Sequence, residues 1–189
     1  IGGELAGVIF VNDPPRKEAA EAIACLKARG IKNVIMLTGD SESAAKAVSE
    51  QLGIDDYRSQ VLPSEKAEIV ESYKKQGRKV IMVGDGVNDS PALAAADVSV
   101  SMKDSSDIAR EVADITLLSA DLRELVVLRE LSSRLFVRID KNYKFIISFN
   151  TALLLMGLTG MMAPGRTAVL HNASTMGISA LSTRPLIRA

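Results

Sequence analysis

Net charge is the first thing this sequence lacks. Lys plus Arg and Asp plus Glu both number 23, which removes a general electrostatic case for nucleic acid as the partner. A second cysteine is also missing. Cys25 stands alone inside the amphipathic segment 16–29, so a disulfide framework is excluded, a reducing compartment fits, and a buried structural thiol is expected. The chain starts at Ile1 with neither a basic start nor a cleavage-site pattern, so it shows no signal peptide and reads as a piece cut from something longer. At 189 residues there is room for one sizeable domain and an appendage.

What is present, up to about residue 118, is an alternation of short apolar runs with helical periods. Candidate strands occupy 5–11 (LAGVIFV), 33–38, 58–62, 79–84, 98–102 and 114–118, with helix-like stretches at 15–29, 41–52, 64–76, 89–96 and 105–112. Nearly continuous apolar strands between helices predict a parallel sheet covered on both faces, a Rossmann-like α/β domain. Ligands in such sheets bind beyond the carboxyl ends of the strands. Two of these strands run into acidic turns, MLTGDSES and MVGDGVND.

After residue 120 the composition changes. Segment 121–144 keeps apolar residues at helical spacing without Gly or Pro, and leads into FIISFNTALLLMGLTGMM, 145–162, which carries no charge. The pattern predicts a stalk helix entering a bilayer, a turn at APGR (163–166), and a second, less apolar arm, together a transmembrane hairpin. Lys and Arg flank both outer ends, with only Arg166 in the turn, so the α/β domain is placed in the cytoplasm. The expected division is 1–120, 121–144 and 145–189.

The acidic turns carry the chemistry. Asp85 and Asp89 are hard oxygen donors suited to Mg2+, and Asn88 can orient a phosphoryl oxygen or a ligating water. Thr38 offers a hydroxyl and Gly39 an amide to phosphate, while Gly84 and Gly86 let backbone amides approach an anion. Lys66 is a mobile cation for charge developing on a transferring phosphoryl group. Singly, Asp40, Asp85 and Asp89 also read as helix caps and turn formers. Their order along the chain favours phosphoryl chemistry.

TGD, PSEK and GDGVNDSPAL in this order, then EVADITLL and a helical hairpin, resemble the C-terminal part of a P-type ATPase. The resemblance implies a phosphorylation domain of haloacid-dehalogenase type, with Asp85 and Asp89 on Mg2+ and Asn88 beside the phosphoryl group. Thr38, Gly39 and Asp40 would contact phosphate and ATP, and Lys66 would stabilise a phosphoaspartate. NDPPRKEAAEAI at 12–23 is similar to the family's D-P-x-R link, where Asp13 and Arg16 are expected as turn and cap residues.

The short hairpin and the Asn142–Tyr143 pair resemble the heavy-metal-transporting subclass, which makes a heavy-metal cation the cargo, the membrane lipid a partner, and a plasma (inner) membrane the location. His171 is the candidate ligand of the transported ion. Met156 and Met176 are soft donors, and Asn150, Asn172, Ser174 and Thr175 offer oxygen. HNASTMG matches neither the copper(I) nor the zinc and cadmium pattern, so the metal stays open.

The chain departs from the family at one decisive point. The phosphorylated Asp of the DKTGT motif is not in this sequence, and Asp40 in LTGDS is a phosphate-contact residue rather than a nucleophile. The reading is therefore a pump portion that needs the N-terminal portion of the pump and is inactive alone. The alternatives are a truncated non-catalytic membrane module and a haloacid-dehalogenase-type phosphatase, which would need a DxDxT nucleophile and no apolar hairpin.

Overall fold

Serine, proline and glycine set the boundaries of the first helices. Ser41 accepts the Ala44 N–H and opens one helix; Gly53, in the left-handed region at φ 65°, closes it. Pro63 opens the next at its first position, where a missing N–H costs nothing. The computed structural model describes residues 14–187, so the strand expected at 5–11, and Asp13, lie outside the described residues. In chain order the elements are α1 Ala19–Ala28, β1 Ile35–Leu37, α2 Glu42–Leu52, β2 Asp56–Arg58, α3 Pro63–Lys75, β3 Ile81–Gly84, α4 Ser90–Ala95, β4 Val98–Ser101, α5 Asp107–Val112, β5 Ile115–Thr116, α6 Arg123–Leu158 and α7 Pro164–Ser182. A 3-10 turn, Val87–Asp89, links β3 to α4.

Every described strand pair is parallel, as the alternation predicts, but the strands form two sheets rather than one. β1 pairs with β2, and β3–β4–β5 form the second. Between β1 and β3, which do not pair with each other among the described residues, runs a cavity of about 720 Å³, lined by Ile35 and Leu37 of β1, Ile81 and Met82 of β3, and Val70 and Tyr73 of α3. Leu93 of α4 and Val100 of β4 are fully buried, as are Ala92 and Ala109.

The strand expected at 58–62 sits earlier, at 56–58, because Tyr57 pairs with Met36 and the chain leaves the sheet at once. Gln60 adopts a left-handed φ of 53°, and its N–H bonds the Asp40 carbonyl at 2.9 Å. Cys25 is a free thiol, half-buried rather than buried.

The chain divides into two compact units, Ile1–Val126 and Val127–Ala189. In the second, α6 and α7 lie side by side. Arg138 donates to the Ser182 and Arg184 carbonyls at 3.0 and 2.6 Å, and Asn142 donates to Ser182 Oγ at 2.9 Å. The expected transmembrane hairpin is corrected in one respect: among the described residues no helix is long and apolar enough to cross a membrane. The cause is local. α6 ends at Leu158, and Gly160 turns the chain at φ 72°, so only 145–158 of the charge-free run is helical. That stretch is roughly 21 Å long at about 1.5 Å per residue, short of a hydrocarbon core of about 30 Å.

Candidate active site

The first acidic turn leaves β1. Thr38 Oγ1 donates to Asp40 Oδ2 at 2.8 Å and accepts the Asp40 N–H at 3.1 Å, a closed two-residue loop that fixes the carboxylate. Asp40 is therefore not the cap of α2, a role Ser41 fills. The Thr38 carbonyl accepts the Val61 N–H at 3.0 Å, and an added Cβ on Gly39 would lie 3.9 Å from the Val61 carbonyl oxygen. This ties the turn to the segment that opens α3. There the Glu65 carboxylate accepts the Leu62 N–H at 2.8 Å, securing the first turn from which Lys66 projects.

The second acidic turn leaves β3. Asp89 makes no cap bond to α4; its Oδ1 instead meets Lys66 Nζ at 2.7 Å, with both side chains only 14% exposed. The two turns are thus joined through one short segment, from Thr38 to Val61 to Lys66 to Asp89. Asp85 and Asn88, in the same turn as Asp89, are exposed. Beneath them Ser106 N–H bonds the Asp85 carbonyl at 2.9 Å, and Ser105 Oγ reaches the Gly84 carbonyl at 3.4 Å. Sequence reading did not single out these two serines, although Ser106 also caps α5 by accepting the Ala109 N–H, a recognisable start signal.

Gly84 has a role that amide access to an anion does not explain. A Cβ there would stand 2.7 Å from the Asp89 Cβ, closer than real carbon atoms approach, whereas at Gly86 it would meet nothing nearer than 3.7 Å. Gly84 is the space into which Asp89 packs.

The donor set fits Mg2+. Among the described residues no three His, Cys, Asp or Glu side chains are grouped to hold a metal. Mg2+, however, takes one or two carboxylates and completes its shell with water and phosphate oxygens, which is what Asp85 and Asp89 offer. The ammonium of Lys66 already holds a cation's place against Asp89. Next to them the Ser90 hydroxyl is buried without a hydrogen-bond partner among the described residues.

His171 is not part of this cluster. It lies on α7, exposed, with Nδ1 at 2.9 Å from Asn150 Oδ1 of α6. Ser174 and Thr175 turn their hydroxyls back to the His171 carbonyl at 2.8 and 3.1 Å. Met156 is half-buried and Met176 exposed. Arg16, expected as a cap, donates instead to the Ala120 carbonyl, linking the start of α1 to the segment after β5.

The family model of haloacid dehalogenase-like hydrolases matches residues 1–97. A zinc-exporting P-type ATPase of Mycobacterium marinum is 44% identical over 189 residues, all of this chain and 26% of that protein. A manganese-exporting P-type ATPase of Mycobacterium leprae is also 44% identical, with the same coverage. The chain therefore spans about a quarter of the length of these curated relatives. Among solved structures, a zinc-transporting PIB-type ATPase in an E2.Pi state superposes with a TM-score of 0.86 at 35% identity, over 93% of this chain and 28% of that one.

Proposed function

The chain belongs to the haloacid dehalogenase-like hydrolases, and from that premise we propose that it is the C-terminal portion of an ATP-driven heavy-metal cation pump. In this reading 1–120 is part of the phosphorylation domain, 121–144 a stalk helix and 145–189 the last membrane hairpin. The observation that carries it is the cavity between β1 and β3, the two strands that end in the acidic turns, which do not pair with each other among the described residues. A strand entering there would set its own C-terminal residue between Thr38 and Asp40 on one side and Asp85 and Asp89 on the other. A nucleophilic carboxylate at that point completes a phosphoryl-transfer site.

Each residue then has a defined task. Thr38 and the Gly39 amide hold phosphate oxygens, and Asp40 orients the Thr38 hydroxyl through their 2.8 Å bond. Asn88 positions a phosphoryl oxygen. Lys66 leaves Asp89 to meet the charge that develops on the transferring group. Mg2+ held by Asp85 and Asp89 would neutralise phosphate charge.

The hairpin is assigned to the membrane part of the pump, with the α/β unit on the cytoplasmic side of a plasma (inner) membrane. Support comes from what it leaves uncovered: α7 buries no residue and α6 only Leu153, while Leu154, Leu155, Val169 and Met176 are each more than half exposed. The test of the site is Mg2+-dependent phosphorylation from ATP, for this chain alone and mixed with a polypeptide supplying a DKTGT strand. Label on the added polypeptide, and only in the mixture, is expected. Label on this chain alone, or none although the two associate, refutes the proposal.

A further inference from the structure

Four side chains of α6 reach toward α7 and the residues after it: Arg134 to the Leu186 carbonyl, Arg138 to the Ser182 and Arg184 carbonyls, Asn142 to Ser182, and Asn150 to His171. The first three secure the C-terminal end of α7, where carbonyls lack helical partners and the macrodipole favours cations. The fourth stands apart, two turns further along α6, in its charge-free stretch.

We propose that Asn150 is a positioning residue for His171, fixing the imidazole proton on Nδ1 and so presenting Nε2 as the donor atom to a divalent transition cation. The inference rests on the transport reading above. An amide oxygen has lone pairs and no proton, so a 2.9 Å contact between Asn150 Oδ1 and Nδ1 places the proton on the ring nitrogen. In a neutral imidazole the other nitrogen then carries the free lone pair. Histidines that ligate metals generally donate their second N–H to an oxygen acceptor, which sets both tautomer and ring orientation. Imidazole suits zinc, copper, iron and nickel. One imidazole does not make a site, and the remaining ligands belong to other helices of the pump. A plain helix-to-helix tie would also join these residues, but it has no need of one particular ring nitrogen.

His171 is the sole histidine, so its ring signals are unambiguous. The untagged 189-residue chain, labelled with ¹⁵N-histidine in detergent micelles at pH 8, would be examined by imidazole nitrogen NMR. The Nδ1-protonated form should dominate in the native chain and in N150D, whose carboxylate accepts the same bond. In N150L it should fall to a minor species. The hairpin itself should persist in N150L, because Arg138 and Asn142 hold its end independently, and far-UV circular dichroism would check this. An Nε2-protonated ring in the native chain, or an unchanged ring in N150L, overturns the proposal. In a Zn2+ titration of the labelled chain assembled with a polypeptide that supplies the remaining helices of the pump, the Nε2 resonance should move. A fixed tautomer with an unresponsive Nε2 would leave Asn150's hold on the ring intact and overturn the assignment of His171 to the ion path.

Discussion

Replacing Gly84 with alanine tests whether the second acidic turn is held by packing. The added Cβ would lie 2.7 Å from the Asp89 Cβ and 3.2 Å from its Cγ and Oδ2. Carbon atoms settle at about 3.5–4.0 Å, so the turn has to retreat by about 1 Å. The atom struck is the root of the Asp89 side chain rather than a flexible tip, so the backbone of the 3-10 turn must move with it. Overpacking of this kind costs about 1–3 kcal/mol. A mid-range loss of about 2 kcal/mol lowers Tm by roughly 4–8 °C at this chain length. The same displacement pulls Asp89 from Lys66, with which it now bonds at 2.7 Å, so Mg2+-dependent phosphorylation in the complemented sample should fall with it.

Gly86 supplies the internal control. Its backbone is extended, at φ −106° and ψ 162°, and an added Cβ would meet only ordinary contacts of 3.7 and 3.8 Å. G86A should therefore melt within a degree or two of the native chain, by the small effect usual for uncrowded positions. Paired thermal melts by circular dichroism decide the matter. Equal Tm for G84A and the native chain, or a larger loss in G86A, refutes the steric reasoning.

Two further outcomes are expected. K66A frees Asp89 from its largely buried ammonium partner, so Mg2+ binding should tighten by at least the roughly fivefold that about 1 kcal/mol, the worth of an exposed pair, would give. Calorimetric titration should register this, and weaker binding would show that Lys66 assists the metal rather than competing with it. Asp114 accepts both the N–H and the hydroxyl of Ser99 at 2.8 Å, and these bonds hold its carboxyl below the usual carboxylate range. Its contribution is then full above the unfolded value of about 3.9 and lost as pH falls through the lower folded value. The urea midpoints of D114N and the native chain should differ at pH 7 and converge near pH 2, and a gap that persists in acid contradicts this.

The sequence exposes those parts of the structure that depend on neighbours along the chain. Helix starts and stops, the turns after β1 and β3, and the order of helices and strands are all local, and the structure has them within a few residues of their expected positions. Strand pairing is not local. Nothing near residue 58 announces that Tyr57 faces Met36, or that β1 and β3 do not pair with each other. The spatial role of Gly84 was hidden for the same reason: its competitor for space lies on the far side of a turn. Sequence listed Asp40 and Asp89 both as caps and as site residues. The structure takes both out of the capping of α2 and α4, and where a carboxylate oxygen points is not written in composition.

The cavity between β1 and β3 also bears on how the first unit unfolds. α3 packs chiefly against α4, and Lys74 donates to the Ala95 carbonyl at 2.6 Å, so α3 travels with β3, β4 and β5. β1, β2, α1 and α2 are knit by their own contacts and by Lys27 with Asp55 at 2.6 Å, and tied to the other block chiefly through loop bonds such as Val61 N–H to the Thr38 carbonyl. Until a strand bridges the gap, no ladder of backbone hydrogen bonds joins the described strands of the two blocks, and each opens with its own free energy. Amide exchange should show two protection levels in the chain alone and a single shared one once the gap is filled, so that cooperativity itself becomes a property of the assembled protein.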